Sequence, residues 1–124
     1  MLATYFLPES VAQQDGSSAP LALGSARCMP LLLTLGITRI VEQESLEFSL
    51  WGSPDQENWE FLMAFPPKSY CGTYSMHLDL ARHPTIRYVR AQWKMSRWAP
   101  SEDTTPLFGF YLLAEEAKLQ GIGA

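Results

Sequence analysis

Residues 45–67 read SLEFSLWGSPDQENWEFLMAFPP. Leu46, Phe48 and Leu50 alternate with Glu47 and Ser49, and Trp59, Phe61, Met63 and Phe65 resume an alternation after a polar interruption. A period of two is the mark of a strand with one face buried, so two half-buried strands are expected here. Between them Gly52-Ser53-Pro54-Asp55-Gln56-Glu57-Asn58 collects the residues that reverse a chain. Glycine tolerates unusual dihedrals, proline fixes its own φ, and Ser, Asp and Asn side chains bond nearby backbone groups. The stretch is a β-hairpin with a long loop.

Working outward, the chain has 124 residues, enough for one domain with a real core and no metal or disulfide staple. Hydrophobic residues make up 47% and charged residues 18%, which excludes wholesale disorder. Nine basic against thirteen acidic side chains give a net charge of −4, so a polyphosphate-binding surface and a nucleic-acid partner are not expected. The N-terminal MLATYFLPES has no positive n-region and its apolar run stops at Pro8, unlike a secretory signal. No run reaches membrane-spanning length. Membrane insertion is therefore not expected and a cytoplasmic location is, with extracellular placement requiring processing or another export route. Cys28 and Cys71 lack metal-ligand spacing, which leaves two small buried or half-buried thiols, or a disulfide, as their reading.

The rest of the chain repeats the strand signal. Leu2 to Leu7 reads as a strand ended by Pro8, and Glu9 to Pro20 as a surface loop. Residues 29–37, MPLLLTLGI, form a continuous apolar run fit for a strand covered on both faces, with a short buried helix as the alternative. Thr38 to Glu44 alternates weakly. Tyr74, Met76, Leu78 and Leu80 alternate with Ser75, His77 and Asp79, and in Thr85 to Trp98 the residues Val89, Ala91, Trp93 and Met95 share one face. Ile86 and Tyr88 fall out of phase, which suggests a bulge near Tyr88. Leu107 to Ala114, LFGFYLLA, is apolar on both faces and so is central or covered from outside. Glu115 to Lys118 is expected to make one helical turn, and the GIGA ending to fray in a monomer. Seven or eight strands separated by turn-forming loops predict an all-β fold, an antiparallel β-sandwich or jelly roll in a single domain spanning 1–124.

The order of these signals resembles the discoidin-like (F5/8 type C) family of the galactose-binding-like fold. Leu33-Thr34-Leu35-Gly36 is similar to an apolar strand ending in Leu-Gly, residues 46–59 to a strand, Ser-x-Asp turn and Trp, and Arg87-Tyr88-Val89-Arg90 to a late Arg-Tyr-hydrophobic-Arg strand. Thr34 stands where an Asp is usual, Gln56 where a Gly usually follows the Asp, and the first third lacks the usual Trp-bearing opening. The resemblance implies a non-catalytic recognition module that binds glycans or lipid head groups through loops at one end of a sandwich.

The residues themselves offer little catalytic chemistry. His77 and Asp79 project together from one strand face, as half a metal site or, more simply, as a solvated face. Ser53 and Asp55 have no histidine that sequence places beside them, and no glycine-rich phosphate loop occurs. No catalytic, metal or cofactor site is expected, and the protein is read as not an enzyme. Arg87, Arg90, Lys94 and Arg97 concentrate basic charge in one strand, as an anion stripe or as cross-strand partners of Glu42, Glu47 or Glu60. Trp59 and Trp93 fit inward positions. The aromatic surplus beside loops points instead to a ligand site of Trp51, Asp55, Tyr70 and Trp98 for a carbohydrate or similar polar ligand, since rings at loop ends stack on sugars or anchor interfaces. The alternative is a structural subunit that self-assembles into a homo-oligomer, particle or filament, motivated by the two-faced apolar strands at 31–35 and 107–114.

Overall fold

In a computed structural model the described residues are 4–40, 44–97 and 107–117. They form nine strands: β1 (Thr4–Ala12), β2 (Gly16–Ser17), β3 (Leu21–Ala22), β4 (Pro30–Ile40), β5 (Glu44–Ser53), β6 (Glu60–Lys68), β7 (Gly72–Asp79), β8 (Tyr88–Arg97) and β9 (Phe108–Glu116). One sheet has the order β1-β9-β4-β7 and the other β2-β8-β5-β6, with β3 also on β8, and every pairing is antiparallel. The two-residue strands β2 and β3 are one edge broken in the middle. Ser18 N donates to the Ala91 carbonyl and Leu23 N to that of Arg87, each at 2.8 Å, while Pro20 between them has no N–H to give. The sandwich thus holds two layers of four strand positions, wound in the order of a jelly roll. The expected all-β sandwich is present, with nine strands in place of seven or eight because of that interruption.

Burial follows the alternation read from the sequence along most strands. Leu46, Phe48 and Leu50 of β5, Leu31, Leu33 and Leu35 of β4, and Phe108, Phe110, Leu112 and Ala114 of β9 all point between the sheets and are at most 1% exposed. Phe48 ties the layers together, with its ring edge-on to Phe110 at 5.5 Å and to Phe65 at 6.2 Å. Trp93 meets Phe110 from the other side at 5.2 Å. Full burial of each phenylalanine or leucine between the sheets is worth roughly 1.5–3 kcal/mol, so the buried apolar side chains together hold the layers against one another.

The two-faced apolar strands are central ones: β9 lies between β1 and β4, and β4 between β9 and β7. On the outer face of their sheet Tyr111 lies across Gly36, where any Cβ would run into its ring, and meets Tyr5 edge-on at 5.7 Å.

Several expectations need correction. β1 continues past Pro8 to Ala12, because register shifts on either side of Leu7 let an edge strand absorb a residue without an N–H. The phase break at Ile86 is not a bulge: β8 pairs with β5 in unbroken register, and Ile86 plugs the core from the preceding turn, its N–H on the His83 carbonyl. Glu115 and Glu116 continue β9, and Ala117 N donates to the Pro30 carbonyl, so extended pairing replaces the expected helical turn there. Lys118 and the GIGA ending lie outside the described residues.

Cys28 and Cys71 are exposed and unpaired rather than buried. They flank opposite ends of the β4–β7 ladder, which runs from Pro30–Asp79 to Ile37–Gly72. At strand rise that separates them by roughly 23 Å, beyond any disulfide. Among the described residues no helix is long and apolar enough to cross a membrane.

Candidate binding groove

The loop between β5 and β6 is held by its own side chains. Ser53, fully buried, accepts from the backbone N–H of Asp55 and Gln56 at 3.1 and 2.8 Å and donates to Asp55 Oδ1 at 3.0 Å. Asp55 Oδ1 also accepts from the N–H of Glu57 and Asn58, and Oδ2 from Asn58 Nδ2. The backbone N–H of Asn58 and then that of Glu57 hold the carboxyl well below the usual carboxylate range, because both favour the charged form. The geometry makes Asp55 a turn builder, with both oxygens committed to the loop.

Of the four sequence-derived site residues, Trp51 and Tyr70 do not come together. Trp51 sits near the β5–β6 turn, whereas Tyr70 follows the other end of β6, and a strand of nine residues holds these ends roughly 30 Å apart. Tyr70 is 78% exposed, and its carbonyl accepts from the Tyr74 hydroxyl. Trp98 lies outside the described residues. His77 is exposed on β7, and Asp79 is spent on a cap, accepting from Ala81 N at 3.0 Å with Arg82 at 3.7 Å. Among the described residues no group of three His, Cys, Asp or Glu side chains is placed to hold a metal.

What the fold does assemble lies on the outer face of the five-stranded sheet. A register shift between Leu50–Met63 and Trp51–Phe61 inserts an extra residue in β6 and turns Phe61 outward, 53% exposed. Phe61 therefore leaves the inward set expected of it, while Met63 and Phe65 keep to it. Its ring meets Trp51 edge-on at 5.6 Å. Trp59 also departs from its expected inward position: its Nε1 donates to the Gln56 carbonyl, and Arg90, opposite Trp51 across β8, lays its guanidinium over the Trp59 ring at 4.4 Å. Arg90 Nε is buried there without a hydrogen bond.

Two residues along β5 on the same face, Ser49 accepts from Trp51 Nε1 at 3.0 Å and pairs with Gln92 on one side and Ala64 on the other. Here the face hollows into a groove of about 510 Å³. Small side chains make its floor, Glu47 and Lys94 stand opposite one another across the strands, and Pro67 and the Asp15–Gly16 segment form its sides. That segment is fixed by two bonds, Asp15 Oδ1 from Met95 N at 2.7 Å and the Gln14 carbonyl from Trp93 Nε1 at 3.1 Å. A carboxylate, an ammonium, an amide and a hydroxyl thus face one hollow, and the hydroxyl is bonded to the Trp51 indole next to it. Sequence alternation places Glu47, Ser49, Trp51, Gln92 and Lys94 on outward positions. Their convergence depends on cross-strand register, which no local signal encodes.

No family model and no curated protein matches the chain. A solved structure described as that of infectious bursal disease virus, Gt strain, is similar over 91% of this chain and 29% of that one, at 12% identity and a TM-score of 0.49. This chain thus spans less than a third of that chain's length.

Proposed function

We propose that the protein is a non-catalytic recognition module that binds a carbohydrate or similar polar ligand on the outer face of its five-stranded sheet. The observation that carries this reading is the groove itself. Four different hydrogen-bonding side chains line a concave strand face, and Trp51, bonded through Nε1 to the Ser49 hydroxyl of that lining, offers ring surface next to it. Hydroxyl-rich ligands match such a surface, because they present apolar C–H faces for stacking and closely spaced hydroxyls for donors and acceptors. The loop-end site expected from sequence gives way to this face, with Trp51 common to both.

The test is a glycan array followed by calorimetry on the best soluble oligosaccharide. Trp51→Ala and Gln92→Ala are expected to weaken binding at least tenfold, with melting within a few degrees of wild type. Unchanged affinity in both variants would remove the groove from consideration.

Self-assembly is a second reading. It is favoured by the outer face of the four-stranded sheet, where Tyr5 and Val11 are more than half exposed beside half-buried Leu32, Tyr111 and Leu113.

A further inference from the structure

We infer that the free edge of β7 pairs antiparallel with β7 of a second copy of this chain, joining two four-stranded sheets across a twofold axis. The argument does not depend on the groove. Edge strands offer unpaired N–H and C=O groups, and folds blunt them with prolines, bulges or breaks. Three of the four edges here are blunted. β1 carries Pro8 and two register shifts, β2 and β3 are split around Pro20, and β6 carries Pro66, Pro67 and two shifts. β7 carries none of these, and it follows β4 residue for residue from Asp79–Pro30 to Gly72–Ile37.

The parity of that ladder fixes which groups are free. Leu80 N donates to the Met29 carbonyl at 3.0 Å, so the even-numbered residues of β7 bond towards β4. The backbone N–H and C=O of Thr73, Ser75 and His77 point the other way, and no described residue bonds to them.

The occupant is a second β7 because this strand complements itself. With the axis at Met76, Ser75 faces the partner's His77 and Thr73 faces the partner's Asp79, which keeps donors opposite acceptors and sets no like charges across the seam. Met76 meets its own counterpart on the inner side. Pairing also ends at two copies, because the far edge of the same sheet is the blunted β1.

Two measurements on the full chain test this. Light scattering over a concentration series should show the mass rising from 13.9 kDa to twice that value. Hydrogen exchange should show the amides of Thr73, Ser75 and His77 becoming protected as the dimer forms, while those of Tyr74, Met76 and Leu78 are protected throughout. The double variant Ser75→Lys/His77→Lys sets lysine opposite lysine across the seam and should stay monomeric. His77→Pro, which removes an outward N–H and no bond to β4, should weaken association in the same direction. A wild-type chain that stays monomeric at every concentration overturns the proposal. So does a dimer that survives the double lysine variant with those three amides exchanging freely, since that places the interface elsewhere.

Discussion

Phe61 and Phe65 lie four residues apart on one strand, and simple alternation puts both rings in the core. The structure separates them, with Phe65 at 3% exposure against Phe48 and Phe61 at 53% against Trp51. Truncating a fully buried phenylalanine to alanine costs about 3–5 kcal/mol in lost transfer energy and residual cavity. At about 2.1 cal/mol/K of unfolding entropy per residue, 124 residues give about 0.26 kcal/mol/K, so Phe65→Ala should lower Tm by about 12–19 °C. Phe61 forfeits only half its burial and one edge contact, so Phe61→Ala should cost about 1 kcal/mol or less and about 4 °C. Urea unfolding with thermal melts of both variants measures the difference. Equal losses, or a larger loss at Phe61, would mean that the register shift between Leu50 and Trp51 is absent, and with it the outward pairing of Phe61 with Trp51.

Three further outcomes follow from the geometry. Asp55 has a folded pKa below its unfolded one, so the stability it contributes is complete above about pH 4 and is lost as pH falls from there through the folded value. The stability gap between wild type and Asp55→Asn should therefore be flat at neutral pH and shrink on acidification, and a gap that widens in acid would contradict the bonding of the loop. Gly36→Val should displace the Tyr111 ring at an overpacking cost of about 1–3 kcal/mol, and adding Tyr111→Ala should recover part of it, as denaturation of the single and double variants would show. Thiol titration of the native protein should count two reactive groups without denaturant, because Cys28 and Cys71 are both exposed and far apart; one or none would place a cysteine where the fold does not.

How much of this was legible in sequence depends on whether the signal is local. Leu46-x-Phe48-x-Leu50 declares its buried face without reference to other strands, and so does Val89-x-Ala91-x-Trp93. The long apolar runs declare burial too, but the run at 29–37 leaves strand or short helix open and both runs leave a central strand or an outer interface open, and the topology makes β4 and β9 central strands. What failed was non-local. Pro8 looked like a stop because its missing N–H matters only if a neighbour needs it, and on an edge strand with shifted register none does. The turn of Phe61 depends on an extra residue opposite Trp51, a mismatch between two strands that neither carries alone. The proposed loop-end site gathered aromatics by their nearness to turns, yet consecutive turns alternate ends of a sandwich, so Trp51 and Tyr70 separate by the length of β6.

The groove and the open edge belong to different sheets, and that has a consequence for binding. A twofold axis that pairs antiparallel strands stands perpendicular to the sheet, so it keeps inner faces inner and outer faces outer. In a β7–β7 dimer both five-stranded sheets would lie on one side of the joined four-stranded pair, and both grooves would open in that same direction. Two weak sites facing one way engage a repetitive surface together, and linkage of this kind raises avidity by about 10²–10⁴ with no new contact. On an immobilised, dense glycan the wild type should therefore bind far more tightly than Ser75→Lys/His77→Lys, while both bind the soluble monovalent oligosaccharide equally. Trp51→Ala should reduce both measurements. A double lysine variant that matches wild type on the dense surface, although monomeric in solution, would show that the two grooves never act together and that the face geometry of the dimer is wrong.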